Sequence, residues 1–178
     1  LMASIIAAKG VDDAEKWAKG LVSNLAKRPQ GNDRSQLKSI YSGECDVAII
    51  NHYYYGKLTY SKNPDHRKWA KASIIVFPNQ GSSDRGAHVN ISGGGVVKFS
   101  KNKESATKFL EFLVTEEAQV LYGDVNFEYP INNKSKLPKR LKALGTFKED
   151  SLLIEDIAKL APKAQEIIDT VYWLSLIH

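Results

Sequence analysis

A short apolar run at residues 47–50 is followed, after two polar residues, by three consecutive tyrosines. The run does not alternate between apolar and polar side chains, which is typical of a strand covered on both faces in an α/β sheet. A second run of this kind occupies residues 73–77. The sequence therefore predicts an α/β fold. Its strands are expected at residues 47–50, 73–77, 87–91 and 96–99.

Between these runs, apolar residues recur at helical spacing. Acidic residues at 12, 13 and 15 favour the N-terminal end of one such helix. Asn32 or Asp33 can cap another, and Thr115 precedes two glutamates in the same way. Helices are predicted over residues 1–9, 11–27, 33–42 and 101–114, from residue 115, and in two stretches from 151 to 173.

The chain has 178 residues, 43% of them hydrophobic, and a formal net charge of +5. The basic excess reads as spread along the chain, and no zinc-finger, homeodomain or RRM-like motif accompanies it, so we expect no nucleic-acid partner. Cys45 is the only cysteine, which excludes an internal disulfide and a cysteine-rich zinc site. No apolar stretch reaches the roughly 18 residues of a membrane span.

The tyrosines suggest a site for a hard cation, because a phenolate is a hard anionic oxygen. In a continuing strand, Tyr53 and Tyr54 would point to opposite faces. If the strand ends at Asn51 and the tyrosines open a helix, their directions differ by only about 100° and can converge. Free N–H groups of that first turn could hold an anion beside the metal. Spacing alone nevertheless favours packing, the commoner role of tyrosine, and a lone His52 is more often hydrogen-bonded than a metal ligand.

Residues 43–56 read Gly-Glu-Cys-Asp-Val-Ala-Ile-Ile-Asn-His-Tyr-Tyr-Tyr-Gly. This stretch resembles the Gly-Glu-x-Asp-x-Ala-x-x-Asn-x-Tyr-Tyr-Tyr/Trp signature of the ferric-iron-binding periplasmic proteins, the substrate-binding subunits of bacterial iron ABC transporters. Further segments resemble that family in the same order and cover nearly the whole chain. They are residues 28–33, 85–93, 102–104, 109–113, 116–119 and 126–130.

The resemblance implies a role for each residue of the tyrosine motif. Tyr53 and Tyr54 match the two aromatic residues that bind iron in the family, so they are the expected ligands of Fe(3+). Asn51 matches a residue that helps to hold a synergistic anion, such as carbonate or phosphate. Tyr55 stands where some members have tryptophan and is expected to give structural support. His52 falls at a variable position and is not expected to bind iron.

The resemblance also implies an architecture, the C-terminal part of a two-lobed, periplasmic-binding-protein-like (type II) fold. Family members are about twice as long as this chain, too large for one compact core. Residues 1–75 and 132–173 are expected to form the second lobe, which carries the tyrosine pair. Residues 76–83 would cross a hinge and residues 84–131 would belong to the first lobe. Residues 174–178 are predicted to be a non-native tail.

The implied function is capture rather than catalysis. Such a protein binds ferric iron or a ferric chelate as a monomer, in the periplasm or as a cell-surface lipoprotein, and delivers the iron to an ABC permease. One alternative is a binding protein of the same fold for a small organic ion, with the tyrosines stacking on the ligand. An enzyme is a second, with Glu44 and Asp46 as an acidic pair, although no catalytic motif accompanies them. A nucleic-acid binder is a third, and would show steeply salt-dependent affinity.

Overall fold

The computed structural model describes residues 1–173, which contain nine α-helices. The predicted non-native tail, residues 174–178, lies outside the described residues. None of the helices in the described part is long and apolar enough to cross a membrane. The helices are α1 (Met2–Lys9), α2 (Val11–Ser23), α3 (Asp33–Tyr41), α4 (His52–Thr59), α5 (Pro64–Lys71), α6 (Lys103–Leu113), α7 (Glu116–Asn126), α8 (Lys139–Lys142) and α9 (Ile154–Thr170).

The chain divides into two compact units. In the described residues, unit 1 comprises Leu1–Gly31, Phe77–Asn90 and residues 147–173. Its core forms where α1, α2 and α9 pack together, and its interior includes Ile6, Ala14 and Ile167. Helix α1 is buried over five consecutive residues, so it lies inside the unit rather than on its surface.

A buried polar cluster ties three segments of unit 1 together. The Arg85 guanidinium lies 2.6 Å from an Asp150 carboxylate oxygen and donates to the Ser4 backbone carbonyl at 2.9 Å. The Ser4 hydroxyl donates to Asp150 at 3.0 Å. Ser4 is fully buried and Asp150 nearly so, which means that the aspartate's charge depends on Arg85 for compensation.

Unit 2 comprises Asn32–Val76 and Ile91–Thr146. Helices α3, α4 and α5 pack around Leu37, Leu58 and Ala70. A second cluster forms around Phe127, with Leu141 of α8 and Leu144. Side-chain caps fix the starts of three helices in this unit, at Asn32, Asn63 and Thr115.

The predicted strands do not form ladders within residues 1–173. The β-pairing found there is one isolated parallel bridge, between Ala87 and Glu149. Val47 is 81% exposed, so the prediction that residues 47–50 form a strand covered on both faces is wrong within the described residues. Ile74 and Val97, in two other predicted strands, are 83% and 71% exposed. A buried strand needs a neighbouring strand and a covering layer, and the described residues supply neither at these positions.

The two units do not follow the predicted lobe boundaries. Residues 32–76, which contain the tyrosines, group with residues 91–146, whereas residues 1–31 group with 147–173. One unit boundary, between Val76 and Phe77, falls within the predicted crossing at residues 76–83. The units reflect contacts within this chain, and the assignment of lobes in a longer protein stays a prediction.

Candidate metal centre

The tyrosines open a helix, as the geometric argument required. Helix α4 begins at His52, and Asn51 before it has an extended backbone with φ −76° and ψ 129°. Tyr53 and Tyr54 therefore occupy the first turn, where their side chains can converge. Their ring centroids are 4.5 Å apart with the ring planes inclined by 42°. Two phenol side chains thus lie together on unit 2.

The Tyr53 phenol is protonated more firmly than a free tyrosine. Burial raises the pKa of Tyr53, and the adjacent Tyr54 side chain adds to the rise. The carboxylates of Asp33 and Glu128 disfavour the Tyr53 anion further. Only a strong positive charge at the oxygen would bring the Tyr53 phenol to the anionic form at neutral pH.

Two cations lie over the faces of the tyrosine rings. The Arg34 guanidinium carbon is 5.3 Å from the centroid of the Tyr54 ring. The Lys57 ammonium is 5.3 Å from the centroid of the Tyr53 ring. Both contacts are within the range of cation–π attraction, so these side chains help to hold the rings in place.

Asn51, the predicted anion-binding residue, contacts a carboxylate. Its backbone N–H donates to Asp33 Oδ1 at 2.7 Å, and its side-chain amide donates to the same oxygen at 3.3 Å. Asp33 is the first residue of α3, so these bonds join the start of α4 to the start of α3. The Asn51 amide has a second N–H, and an anion that accepts from it would lie close to the Asp33 carboxylate.

Tyr55 contacts the unit interior on another side of α4. Its hydroxyl donates to the Ser73 carbonyl at 3.3 Å. Its ring packs against both apolar clusters of unit 2, the one around Leu37 and the one around Phe127. These contacts tie α4 to the unit. Tyr53 also packs against the Phe127 cluster, and its ring pairs with that of Tyr54.

His52 is held by a residue that the sequence argument did not single out. Its Nε2 donates to the Phe127 carbonyl at 2.7 Å, and its ring centroid lies 5.0 Å from that of Tyr129. Burial lowers the pKa of His52, which favours the neutral imidazole. Phe127 is buried and follows α7 in a left-handed conformation, with φ 62°. In the sequence, the one sign of this contact was Gly56, because the absence of a side chain there makes room for the Phe127 ring.

Gly56 permits the contact between α4 and Phe127. A Cβ atom at Gly56 would lie 2.6 Å from Cγ and Cδ1 of Phe127 and 2.9 Å from its Cβ. We expect Gly56→Ala to destabilise the intact protein by about 1–3 kcal/mol, since overpacking outweighs the gain in helix propensity. Urea unfolding measures the change.

Gly20→Ala is the matched control for this prediction. Gly20 also lies inside a helix, α2, but no atom outside its own helix backbone and chain neighbours is within 4 Å of the point that a Cβ would occupy. Alanine there should raise stability by up to about 1 kcal/mol. A Gly56→Ala variant as stable as Gly20→Ala would contradict the close packing of Phe127 on α4.

Tyr129 supplies a pH-dependent contact beside His52. Its hydroxyl donates to the Gly145 carbonyl at 2.6 Å, and burial raises its pKa to about 12. An unfolded tyrosine ionises near pH 10, so this bond should stabilise the fold fully below about pH 10. The contribution should disappear as the pH rises through about 12. The stability difference between wild type and Tyr129→Phe, measured by urea unfolding, should shrink over that range.

Tyr172 provides the control, because its side chain is 73% exposed. Tyr172→Phe should keep the wild-type dependence of stability on pH. A constant difference between wild type and Tyr129→Phe from pH 8 to 12 would show that the phenolic proton of Tyr129 does not stabilise the fold.

The tyrosine pair is the candidate metal centre within residues 1–173. No group of three or more His, Cys, Asp or Glu side chains in that range could hold a metal ion. The other candidate from the sequence is the pair of phenols, whose oxygens can lose their protons and bind a cation together. Hard oxygen donors of this kind suit a hard, highly charged ion.

Known proteins with names that refer to iron match between 72% and 97% of the chain. It is 41% identical over 173 residues to iron uptake protein A1 of Synechocystis, covering 97% of this chain and 48% of that protein. It is 34% identical over 129 residues to the major ferric iron-binding protein of Neisseria meningitidis serogroup B, covering 72% and 37%. The chain spans about half the length, or less, of these relatives.

Solved structures agree with these relatives. A ferric binding protein from Campylobacter jejuni superposes with a TM-score of 0.90 at 44% identity, over 96% of this chain and 54% of that one. A Trichodesmium protein, IdiA or FutA, in complex with iron and citrate, superposes with a TM-score of 0.89 at 44% identity, over 97% and 54%. The resemblance to ferric-iron-binding proteins is thereby confirmed.

A family model agrees with both comparisons. The model for the bacterial extracellular solute-binding protein matches residues 5–120, about two thirds of the chain. The relatives above are named for uptake and binding, in keeping with a protein that carries a solute. The chain therefore belongs to the bacterial extracellular solute-binding protein family.

Proposed function

We propose that the chain is part of a solute-binding protein that captures ferric iron through the phenolates of Tyr53 and Tyr54. The observation that carries this proposal is the pairing of the two phenols on the first turn of α4, with ring centroids 4.5 Å apart. The names of the relatives, iron uptake protein and ferric iron-binding protein, support the choice of ion.

When the ferric ion binds, it replaces the phenolic protons of Tyr53 and Tyr54. The pKa of Tyr53 is raised, mainly by burial, so without metal this phenol is protonated at neutral pH. A trivalent ion between the oxygens stabilises both phenolates far more than the nearby carboxylates disfavour them. Iron binding should therefore release protons, and selectivity for a trivalent over a divalent ion follows from the charge needed to displace them.

Two phenolates do not fill the coordination shell of a ferric ion. We assign the remaining positions to residues of the longer protein and to a synergistic anion, carbonate or phosphate, at Asn51. In that longer protein, residues 1–75 and 132–173 would form the second lobe, residues 84–131 part of the first, and residues 76–83 a crossing between them. Closure of the lobes would bury the ion.

Delivery of the iron completes the proposed role. The protein would act outside the cytoplasm, in the periplasm or as a cell-surface lipoprotein, as a monomer that hands ferric iron to an ABC permease. It would catalyse no reaction and bind no nucleic acid. Its family, the bacterial extracellular solute-binding proteins, supports this setting.

Titration of the intact, metal-free protein with ferric citrate tests the proposal. Phenolate bound to Fe(3+) gives a visible charge-transfer band, so colour should develop to a stoichiometric end point. Gallium(III) is the control, because it can occupy the same oxygens but gives no such band. It should compete with iron and bleach the colour. An intact protein that stays colourless with saturating ferric citrate would refute the assignment.

A small organic cation is the second candidate ligand. The positions of Arg34 and Lys57 over the Tyr54 and Tyr53 rings show that these faces already accept positive charge. An organic cation could replace either side chain and stack on the ring. This candidate predicts quenching of tyrosine fluorescence by the ligand without a visible band, and no competition by gallium(III).

A further inference from the structure

The positive charge of the chain is concentrated in unit 2. That unit has sixteen Lys and Arg against ten Asp and Glu, whereas unit 1 has nine against ten. The expectation that the basic excess is spread along the chain is therefore wrong. The densest part is a basic segment, defined here as residues 134–142, with five cations and no carboxylate. Its cations are Lys134, Lys136, Lys139, Arg140 and Lys142.

The cations of the basic segment are exposed and lack carboxylate partners. All five residues are exposed, and within residues 1–173 none forms an ion pair. Some exposed lysines on other helices are paired along their own helix, for example Lys19 with Glu15 and Lys108 with Glu104. The charge of the basic segment is therefore not neutralised locally, and its potential extends into solvent.

The backbone beneath these cations is fixed by packing. Leu141 is fully buried and Leu137 packs beside it against the Phe127 cluster. Pro138 approaches so closely that its Cγ and Cδ lie 3.0 Å from where a Cβ of Gly123 would stand. The segment thus alternates anchored apolar residues with outward cations.

Hydrogen bonds and a ring contact hold the two ends of the segment. Asn132 accepts from the Lys134 backbone N–H at 3.0 Å and donates to the Val114 carbonyl at 3.0 Å. At the other end, the Arg140 guanidinium carbon lies 5.2 Å from the centroid of the Tyr60 ring. The charges are therefore presented from a fixed loop and helix rather than from a free tail.

We propose that the basic segment, residues 134–142, is a docking surface for an anionic lipid bilayer. Four of its five cations are lysines. A lysine ammonium is a compact charge that is attracted to any negatively charged surface, whereas arginine favours bidentate pairing with a single carboxylate or phosphate. Protein interfaces are depleted in lysine and centre on aromatic anchors, which the exposed face of this segment lacks. A bilayer rich in acidic headgroups presents the planar negative potential that such a lysine cluster fits.

Attachment of this kind is independent of the iron proposal. None of the five cations belongs to the tyrosine pair, so apo and iron-loaded protein should bind the bilayer alike. The attraction is electrostatic and reversible, and it should fade when salt shortens the screening length. Its consequence is a raised concentration of the protein at the membrane surface.

Co-sedimentation of the intact protein with vesicles tests the proposal. We expect binding to vesicles of phosphatidylglycerol and phosphatidylethanolamine at low salt, and none to phosphatidylcholine vesicles. The triple variant K134Q/K136Q/K139Q should bind about 100-fold more weakly, since each lysine near an anionic surface contributes roughly fivefold. Its ferric titration and its thermal unfolding should match the wild type, because the substituted side chains are exposed.

K98Q/K101Q/K103Q is the matched control, with the same loss of charge from three other exposed lysines of unit 2. It should weaken vesicle binding by less than about fivefold, the effect of net charge at a distance. Equal losses in the two variants would overturn the proposal, as would absence of binding to the anionic vesicles. The proposal would also be overturned if the protein bound duplex DNA as tightly as anionic vesicles and K134Q/K136Q/K139Q lost both. The segment would then bind polyanions in general.

Discussion

Phenylalanine in place of Tyr53 or Tyr54 should lower the intensity of the visible band of the ferric complex and weaken ferric binding by more than about 100-fold. The substitution removes a single oxygen and keeps the ring. Changes to groups that only orient a metal ligand cost about 10–100-fold in affinity. Loss of a ligand oxygen itself should exceed that range. Titration with ferric citrate against a competing chelator gives the affinity.

Tyr55→Phe is the control built into the same motif. It removes the same atom from the adjacent residue, whose hydroxyl donates to the Ser73 carbonyl rather than to the tyrosine pair. The band should keep its position and intensity, and stability should fall by about 1 kcal/mol for one neutral hydrogen bond. A band of wild-type intensity in both Tyr53→Phe and Tyr54→Phe, or a band lost only in Tyr55→Phe, would show that the metal lies elsewhere.

The start of α4 shows why the tyrosine pair was accessible to sequence reasoning. The apolar run ends at residue 50, and consecutive tyrosines can converge only if a helix begins there. The structure begins α4 at His52, as that condition requires. Helix α3 was similarly accessible, because Asn32 is a strong cap and accepts from the backbone N–H groups of Arg34 and Ser35. Both helix starts depend on neighbouring residues in the sequence, so local sequence patterns were enough to predict them.

The strands could not be predicted in the same way. Residues 47–50, 73–77 and 96–99 have the composition of buried strands, but strand formation depends on partners distant in sequence. Where partners are missing, as at Val47 and Ile74, the apolar side chains stay exposed. The chain spans about half the length of these relatives, and composition does not show whether the strand partners lie within the stretch that it spans.

Long-range contacts explain the remaining differences. Residues 151–173 were expected to form two helical stretches, yet α9 continues as one helix through Pro162. Its packing against α1 in the unit 1 core offsets the backbone hydrogen bond that proline removes. The bond from His52 to the Phe127 carbonyl joins residues 75 positions apart, and no local pattern encodes it.

Substitution of Gly86 by alanine should destabilise the protein by about 2–5 kcal/mol, the largest stability effect expected from a single added methyl group. Gly86 has φ +95°, a conformation that costs an L-residue about 1–2 kcal/mol. A Cβ there would also lie 2.4 Å from the Glu149 carbonyl oxygen and 2.8 Å from the Asp150 nitrogen. These are backbone atoms of the bridge at Ala87, so they cannot move aside as a side-chain end would.

Gly10→Ala separates the two causes of that loss. Gly10 lies in the same unit and has φ +81°, but no atom beyond its chain neighbours stands within 4 Å of the added methyl group. It should lose only the conformational part, about 1–2 kcal/mol. Urea unfolding of the intact protein measures both variants, and equal losses would mean that the backbone at Glu149 yields to the methyl group. A larger loss for Gly86→Ala would instead show that residues 86–87 and 149–150 form one rigid element, in which the hydrogen bond from Asp150 to Ala87, 2.8 Å long, keeps Asp150 in place for its ion pair with Arg85.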